Sequence, residues 1–417
     1  MRAMQFTRPG PIEDMPLTPV DVPVPRPGAG QALVRVLACG VCHTDLHICQ
    51  GEIHPPQLPL IPGHQVVGEI DALGDGVTHL QIGQRVGLPW LYSACGVCEF
   101  CRRGEENLCP QARFTGFSVD GGFAEWTLAE ADYLLPIPAQ ISTLQAAPLL
   151  CAGIIGFRSL RLAGVQPGEH LGLFGFGASA HLALQVARYW NCTVSVFTRS
   201  ARHRAHAESL GADWTGIAGD TPPRPLDRAV TFAPAGEIVP AALSVLRPGG
   251  TLAINAVHMS DLPAMPYERI YGERTLRSVA NATYQDGVDF LDLAAVIPLQ
   301  ATVQTYGLED ANEALLAGLT AEQRAELLKG DKVEALTEEE IRERLAANDS
   351  GDTLEHEDLV AGMAHELTAQ SQVIDLLSDQ REPEGLNIAK VLDSANVDLT
   401  ALMARRVADR TADIIGP

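Results

Sequence analysis

The chain has 417 residues, 46% of them hydrophobic and 20% charged, with a formal net charge of −22 at pH 7. That length exceeds one ordinary core and implies a soluble globular protein of two or three domains. The negative charge argues against nucleic acid or an anionic membrane as a partner, since both would repel it. No apolar run reads as long enough to span a bilayer. The opening MRAMQFTRPG leads into Pro-rich polar sequence rather than a signal peptide. A cytoplasmic, reducing location is therefore expected, where the nine cysteines serve as metal ligands rather than disulfides.

Taken in order, ALVRVLACGV and VVGEIDAL are apolar runs with β-branched residues between Gly- and Pro-rich turns, and predict strands. Near residue 150 the texture changes. LGLF (171–174) reads as a short buried strand, followed by glycines and then the helical pattern HLALQVARYW, with Leu182, Val186 and Tyr189 on one face. TVSVF (193–197), helical AHAESLGA, LDRAVTF and TLAINAV continue the series. Strand alternating with helix predicts a parallel sheet covered on both faces. After about residue 283 the chain is expected to return to the first domain.

The last segment differs. Residues 320–417 hold 22 Asp and Glu against 10 Lys and Arg, all three lysines of the chain, and no Cys, Phe, Tyr or Trp. Thr320 with Gln323 and Thr337 with Glu340 form capping-box pairs. HEDLVAGMAHEL, SQVIDLLSD and NIAKVLDSANVDLTALMARRVAD carry apolar residues at helical spacing. These features predict an acidic helical appendage without a catalytic residue, with a largely disordered extension as the plainer alternative and KGDKVEAL as a weak candidate for one more strand.

Two motifs carry chemistry on their own. CGVCEFCRRGEENLC places Cys95, Cys98, Cys101 and Cys109 on one loop, with Gly96 and Gly104 to permit tight turns. Four thiolates so spaced suit a closed tetrahedral Zn²⁺ site. An iron–sulfur cluster is the rival, supported only by Cys109-Pro110. Gly175, Gly177 and Ala180 form G-x-G-x-x-A between a predicted strand and helix, the setting in which backbone amides meet a pyrophosphate. At the end of the next strand Thr198 stands where an NAD enzyme carries an acid, and Arg199 follows. This favours NADP(H) over NAD(H), because a 2′-phosphate is not repelled and an arginine fork can bind it. The plainer alternative is a solvated Arg199 and an NAD(H) preference.

A dispersed set remains: Cys42 in CGVCHTDLH, His64 in PGHQVVGEIDALG and Cys151 in APLLCAG. Each alone reads as a core residue. Together, in this order around the cysteine loop, they resemble the zinc-dependent medium-chain alcohol dehydrogenases over about residues 20–318. Residues 63–74 match that family's G-H-E-x-x-G-x5-G signature, except that Gln65 replaces its glutamate.

The resemblance implies a GroES-like β-rich catalytic domain (1–152 with 283–319) and a doubly wound Rossmann nucleotide-binding domain (153–282), leaving 320–417 as the extension. Cys42, His64 and Cys151 would be catalytic zinc ligands and the four-cysteine loop a structural zinc site, giving two Zn²⁺ per chain. Thr44 would take the alcohol proton and His47 pass it on, with Asp45 orienting the ligand imidazole. His43 would meet the cofactor phosphates and Trp90 wall the substrate pocket, although an anchoring role is as good a reading of that tryptophan. The implied activity is reversible hydride transfer between a primary or secondary alcohol and NAD(P), in a homo-oligomer (dimer or tetramer) acting on small alcohols or aldehydes. An aldehyde reductase of the cinnamyl-alcohol type, a formaldehyde-specific enzyme and a non-catalytic zinc- and nucleotide-binding protein are the alternatives. Cys39, Cys49 and Cys192 read as small hydrophobes.

Overall fold

The computed structural model describes residues 1–257 and 259–318, and the backbone of 372–375. The N-terminal part contributes strands β1 (Arg2–Phe6), β2 (Leu17–Asp21), β3 (Gln31–Val41), β4 (Gln65–Leu73), β5 (Arg85–Leu88), β6 (Leu91–Ser93), β7 (Arg113–Phe114), β8 (Trp126–Glu130) and β9 (Leu135–Pro136). Helices α1 (His43–Gln50), α2 (Glu99–Arg102) and α3 (Thr143–Pro148) lie among them. The long strand β3 is the spine, because nearly every residue after Gln31 is buried and it pairs antiparallel with both β4 and β8. Such a run cannot sit at a solvated surface, so the sheet forms around it. Phe6, Phe123, Ile48 and Leu88 fill the core on which it packs.

The nucleotide half begins with α4 (Ile154–Ala163). Strand β10 (His170–Phe174), helix α5 (Ala178–Tyr189), β11 (Thr193–Phe197), α6 (Ala201–Ser209), β12 (Trp214–Gly216), β13 (Leu226–Thr231), α7 (Ile238–Val245), β14 (Leu246–Ile254) and β15 (Thr275–Ser278) follow. The six strands form a parallel sheet in the order β12-β11-β10-β13-β14-β15, whose strand order reverses beside β10. That reversal opens a crevice at the carboxyl ends of β10 and β13, the place where a doubly wound sheet takes its ligand. The predicted strands fall where expected. Tyr189 does not, being 53% exposed while Leu182 and Val186 are buried. Trp190, one residue on, packs against Phe157 instead.

The chain then adds α8 (Tyr284–Ala294), β16 (Gln304–Tyr306), α9 (Ala311–Ala317) and β17 (Gln372–Asp375). The first sheet has seven strands, ordered β16-β17-β3-β4-β5-β9 with β8 also on β3. Strand β17 runs parallel to β16 and antiparallel to β3. This corrects the helical expectation for SQVIDLLSD. The run of valine and isoleucine supports a strand as readily as a helix, and pairing with two neighbours decides it. KGDKVEAL, both capping-box pairs and the other tail segments expected to be helical lie outside the described residues.

A second correction concerns apolar length. The continuous helical stretch Thr143–Ala163 is long and apolar enough to cross a membrane by composition, yet 72% of that window is buried inside the fold. Its middle, Leu149–Gly153, is a π-turn, a local widening often found at functional positions, and it carries Cys151.

Two truncations test the role of β17. A chain ending at Leu376 should keep the seven-stranded sheet and unfold cooperatively. A chain ending at Ala335 removes a strand from between two others, and calorimetry should show a markedly lower or absent transition. Equal transitions for the two would contradict the placement of β17.

Candidate active site and metal centres

Helix α1 opens in an unusual way. Cys42 is its N-cap, with Sγ accepting from the Thr44 N–H at 3.4 Å, while Asp45 Oδ2 accepts from the Cys42 N–H at 3.0 Å. This is a capping box with a thiol in the place of a hydroxyl. Asp45 is fully buried, and its Oδ1 also accepts from the Gly63 N–H at 3.2 Å and from His64 Nδ1 at 3.0 Å. The ring of His64 is thereby held with Nε2 pointing 3.3 Å from Cys42 Sγ. The π-turn brings in the third group, so that ligand atoms of Cys42, His64 and Cys151 lie within 4.8 Å of one another.

Charge in this cluster is arranged for a cation. A hydrogen bond from Cys151 pulls the Cys42 pKa well below the usual thiol range, with help from His64, and the same bond pushes Cys151 well above it. Both sulfurs would ligate a dication as thiolates. Burial works against a charged His64, but Asp45 and then Cys42 outweigh it and raise its pKa. Gln65, next to His64, is 1% exposed, and neither amide atom has a hydrogen-bond partner. A buried amide with both atoms unsatisfied is costly, and it directly follows the imidazole of the cluster in the chain. Two sulfurs and one nitrogen with a fourth position open fit Zn²⁺ in its catalytic form.

The four-cysteine loop forms the second cluster. Sγ atoms of Cys95 and Cys101 stand 3.9 Å apart and those of Cys98 and Cys101 3.5 Å, with all four within 4.8 Å. Four zinc–sulfur bonds of about 2.3 Å make a tetrahedron with edges of about 3.8 Å, so this spacing suits one ion. An iron–sulfur cube would hold its thiolates further apart. Gly96 and Gly104 both have φ of +71°, as the tight turns require. Backbone N–H groups of Val97 and Cys98 bring the Cys95 pKa down to about 6, favouring the thiolate. Cys39, Cys49 and Cys192 are fully buried, and burial pushes all three thiols up.

Other side chains singled out from the sequence gather nearby. Trp90 meets the His64 ring edge-on at 5.0 Å and stacks on Phe114 at 5.1 Å, with Phe117 at 5.8 Å. Its ring thus packs in an aromatic group next to His64. Thr44 and His47 follow Cys42 on α1, and His43 is exposed at its start. His47 Nδ1 lies 2.6 Å from Glu52 Oε2, a partner that no motif in the sequence signalled.

At the switch point, Gly175 has φ of +83°, and a Cβ there would sit 2.9 Å from the Ala233 nitrogen, so only glycine fits. Gly177 is the N-cap of α5 without a side-chain cap, and a Cβ there would meet nothing within 4 Å. Ala180 is fully buried. Open amides at the start of a twelve-residue helix make a ready anion site. Thr198 and the exposed Arg199 follow β11. Arg204, unremarked in the sequence, donates to the carbonyls of both at 2.8 Å, and Ser200 caps α6.

Comparison with known proteins agrees with this geometry. Residues 28–139 match the alcohol dehydrogenase GroES-like domain. A probable alcohol dehydrogenase AdhA of Mycobacterium tuberculosis is 46% identical over 321 residues, covering 76% of this chain and 93% of the relative. An alcohol dehydrogenase of Geobacillus stearothermophilus is 37% identical over 302 residues, 70% of this chain and 89% of its own. Among solved structures, a cinnamyl alcohol dehydrogenase of Sorghum bicolor superposes with a TM-score of 0.71 at 26% identity, covering 92% of this chain and 99% of that one. The chain belongs to the zinc-dependent medium-chain alcohol dehydrogenase family, oxidoreductases acting on alcohols.

Proposed function

We propose that this chain catalyses the reversible oxidation of a primary or secondary alcohol, with two zinc ions per chain and NADP(H) as the hydride carrier. The convergence of Cys42, His64 and Cys151 from three separate segments supports this reading most strongly. Zinc, when bound there, supplies Lewis acidity toward an alcohol oxygen, and the nicotinamide supplies the hydride acceptor.

The protein's own groups do the rest. Asp45 keeps the Nε2 lone pair of His64 aimed inward. Gln65 contributes no charge where the family carries a glutamate, which leaves the metal more electron-poor. The Thr44 hydroxyl accepts the alcohol proton and His47 passes it outward. His43 and the amides around Gly175 and Gly177 hold the cofactor phosphates, while Thr198 and Arg199 receive the ribose 2′-phosphate, with Arg204 bracing their backbone. Trp90, Phe114 and Phe117 form an aromatic group beside His64 and favour an alcohol with an apolar or aromatic body.

In this reading 1–152 with 283–319 and the strand Gln372–Asp375 is the catalytic domain and 153–282 the nucleotide domain, in a reducing cytoplasm. A homo-oligomer is part of it: exposed Tyr267, Ile270 and Tyr271 lead into β15, the outer strand of the parallel sheet.

Metal analysis of the purified protein should find two zinc equivalents. Replacing Cys42 or His64 by Ala should abolish turnover, and Cys101→Ala should mainly lower stability, since closed sites contribute to folding. Iron in the protein, or full turnover by Cys42→Ala, would sink the assignment.

A spectrophotometric screen of alcohols and aldehydes should give higher kcat/KM with NADP(H) than with NAD(H). Arg199→Ala should cost about 1.5–3 kcal/mol in that term, roughly ten- to a hundredfold. A wild-type preference for NAD(H) would refute the assignment of the 2′-phosphate site.

A further inference from the structure

Glu52 is placed by the way α1 ends. The C-cap Gly51 has φ of +81°, and a Cβ there would meet Pro9 at 2.7 Å, so the reversal depends on glycine. The chain then folds back over the last turn, with the His47 carbonyl accepting from the N–H groups of Gly51, Glu52 (2.9 Å) and Ile53 (3.2 Å). This reversal lays the Glu52 carboxylate against the His47 ring, where Oε2 accepts from Nδ1 at 2.6 Å. That is the length of a charge-assisted hydrogen bond.

Exposure rises along the same line. Asp45 is fully buried, the His47 side chain is 23% exposed and that of Glu52 45%. Glu52 also lines an open hollow of about 300 Å³ with Pro9, Gly10, Pro11 and Gln50. The ring of His43 is the other imidazole nearby, its centroid 6.4 Å from that of His47.

We infer that Glu52 is the positioning residue of the proton exit. It fixes His47 as the Nδ1–H tautomer and passes the ring's proton to solvent at the surface. This rests on the proposed relay through Thr44 and His47. With Nδ1 occupied, only Nε2 can accept a proton arriving from the active site. The ring then becomes an imidazolium that the carboxylate stabilises. The Nδ1 proton moves to the carboxylate and on to water, and exchange with water restores the first tautomer. No electrons move in these steps. As in a carboxylate–histidine couple the acid orients the ring, but Glu52 is 45% exposed and so can also take the proton and release it to solvent. A surface pair that merely braces the helix end would contribute about 0.2–1 kcal/mol to stability and nothing to turnover.

The experiment uses the zinc-loaded enzyme and compares Glu52→Ala, Glu52→Gln and Glu52→Asp with His47→Gln. Nitrogen NMR of histidine-labelled protein without substrate reads the His47 tautomer. The Nδ1–H form should dominate in the wild type and lose population in Glu52→Ala. Turnover of Glu52→Ala and Glu52→Gln should fall about tenfold at unchanged alcohol KM, a part of the ~10²–10⁴ that a positioned proton-transfer group supplies. Added formate should restore Glu52→Ala, and Glu52→Asp should remain close to wild type. A slow His47→Gln beside a wild-type Glu52→Ala would overturn the role of Glu52 and leave the relay standing. Wild-type rates for both would overturn the relay itself, and the role of Glu52 with it. A slow Glu52→Ala that formate does not rescue, with the tautomer unmoved, would make Glu52 a brace only.

Discussion

A single buried carboxylate organises this active site. Asp45 is fully enclosed and accepts from the Cys42 N–H, the Gly63 N–H and His64 Nδ1. Taking a carboxylate out of water costs several kcal/mol unless its oxygens are fully engaged. Here the engagement sets the geometry. One oxygen starts α1 at the first thiol, and the other fixes both the turn before β4 and the rotation of the His64 ring. Burial pushes the pKa of Asp45 up, while His64 and the Cys42 N–H pull it back. A cation at the cluster adds its own field in favour of the ionised form.

The scaffold delivers the other parts to that point. The π-turn between α3 and α4 presents Cys151, and a Cβ at Gly153 would lie 2.4 Å from the ring of Phe290 on α8, so α8 seats closely on this turn. Asp286 of α8 pairs with both Arg158 and Arg161 of α4, which fixes that seating. The four-cysteine loop is tied to the same region: Asn107 Nδ2 donates to the Ala280 carbonyl at 2.6 Å, and Glu106 accepts from the Tyr284 N–H at 2.7 Å. The loop thus holds the segment by which the chain leaves the parallel sheet. Those two bonds tie the loop to the juncture between the halves.

Much of this was legible because the chemistry is local. The four cysteines sit within fifteen positions of one another, and G-x-G-x-x-A lies between a strand and a helix that periodicity marks clearly. Cys42, His64 and Cys151 lie far apart in the chain, and only the family pattern joined them. Glu52 and Arg204 escaped notice for a different reason. Glu52 reaches His47 through a left-handed C-cap rather than helical spacing, and Arg204 acts on backbone carbonyls, which leave no trace in side-chain patterns. The strand Gln372–Asp375 departs from the helical expectation because four residues with Val and Ile carry no period that separates strand from helix. Spacing alone puts Tyr189 on the buried face, whereas the neighbouring Trp190 packs there.

The most direct measurement is the zinc affinity of Asp45→Asn, which keeps the size of the side chain and removes its charge. Chelator competition should show one zinc bound about 10–100-fold more weakly than in the wild type, with the second zinc unchanged and the fold intact by circular dichroism. Two zincs held as tightly as in the wild type, with alcohol turnover undiminished, would contradict the claim that this carboxylate builds the site.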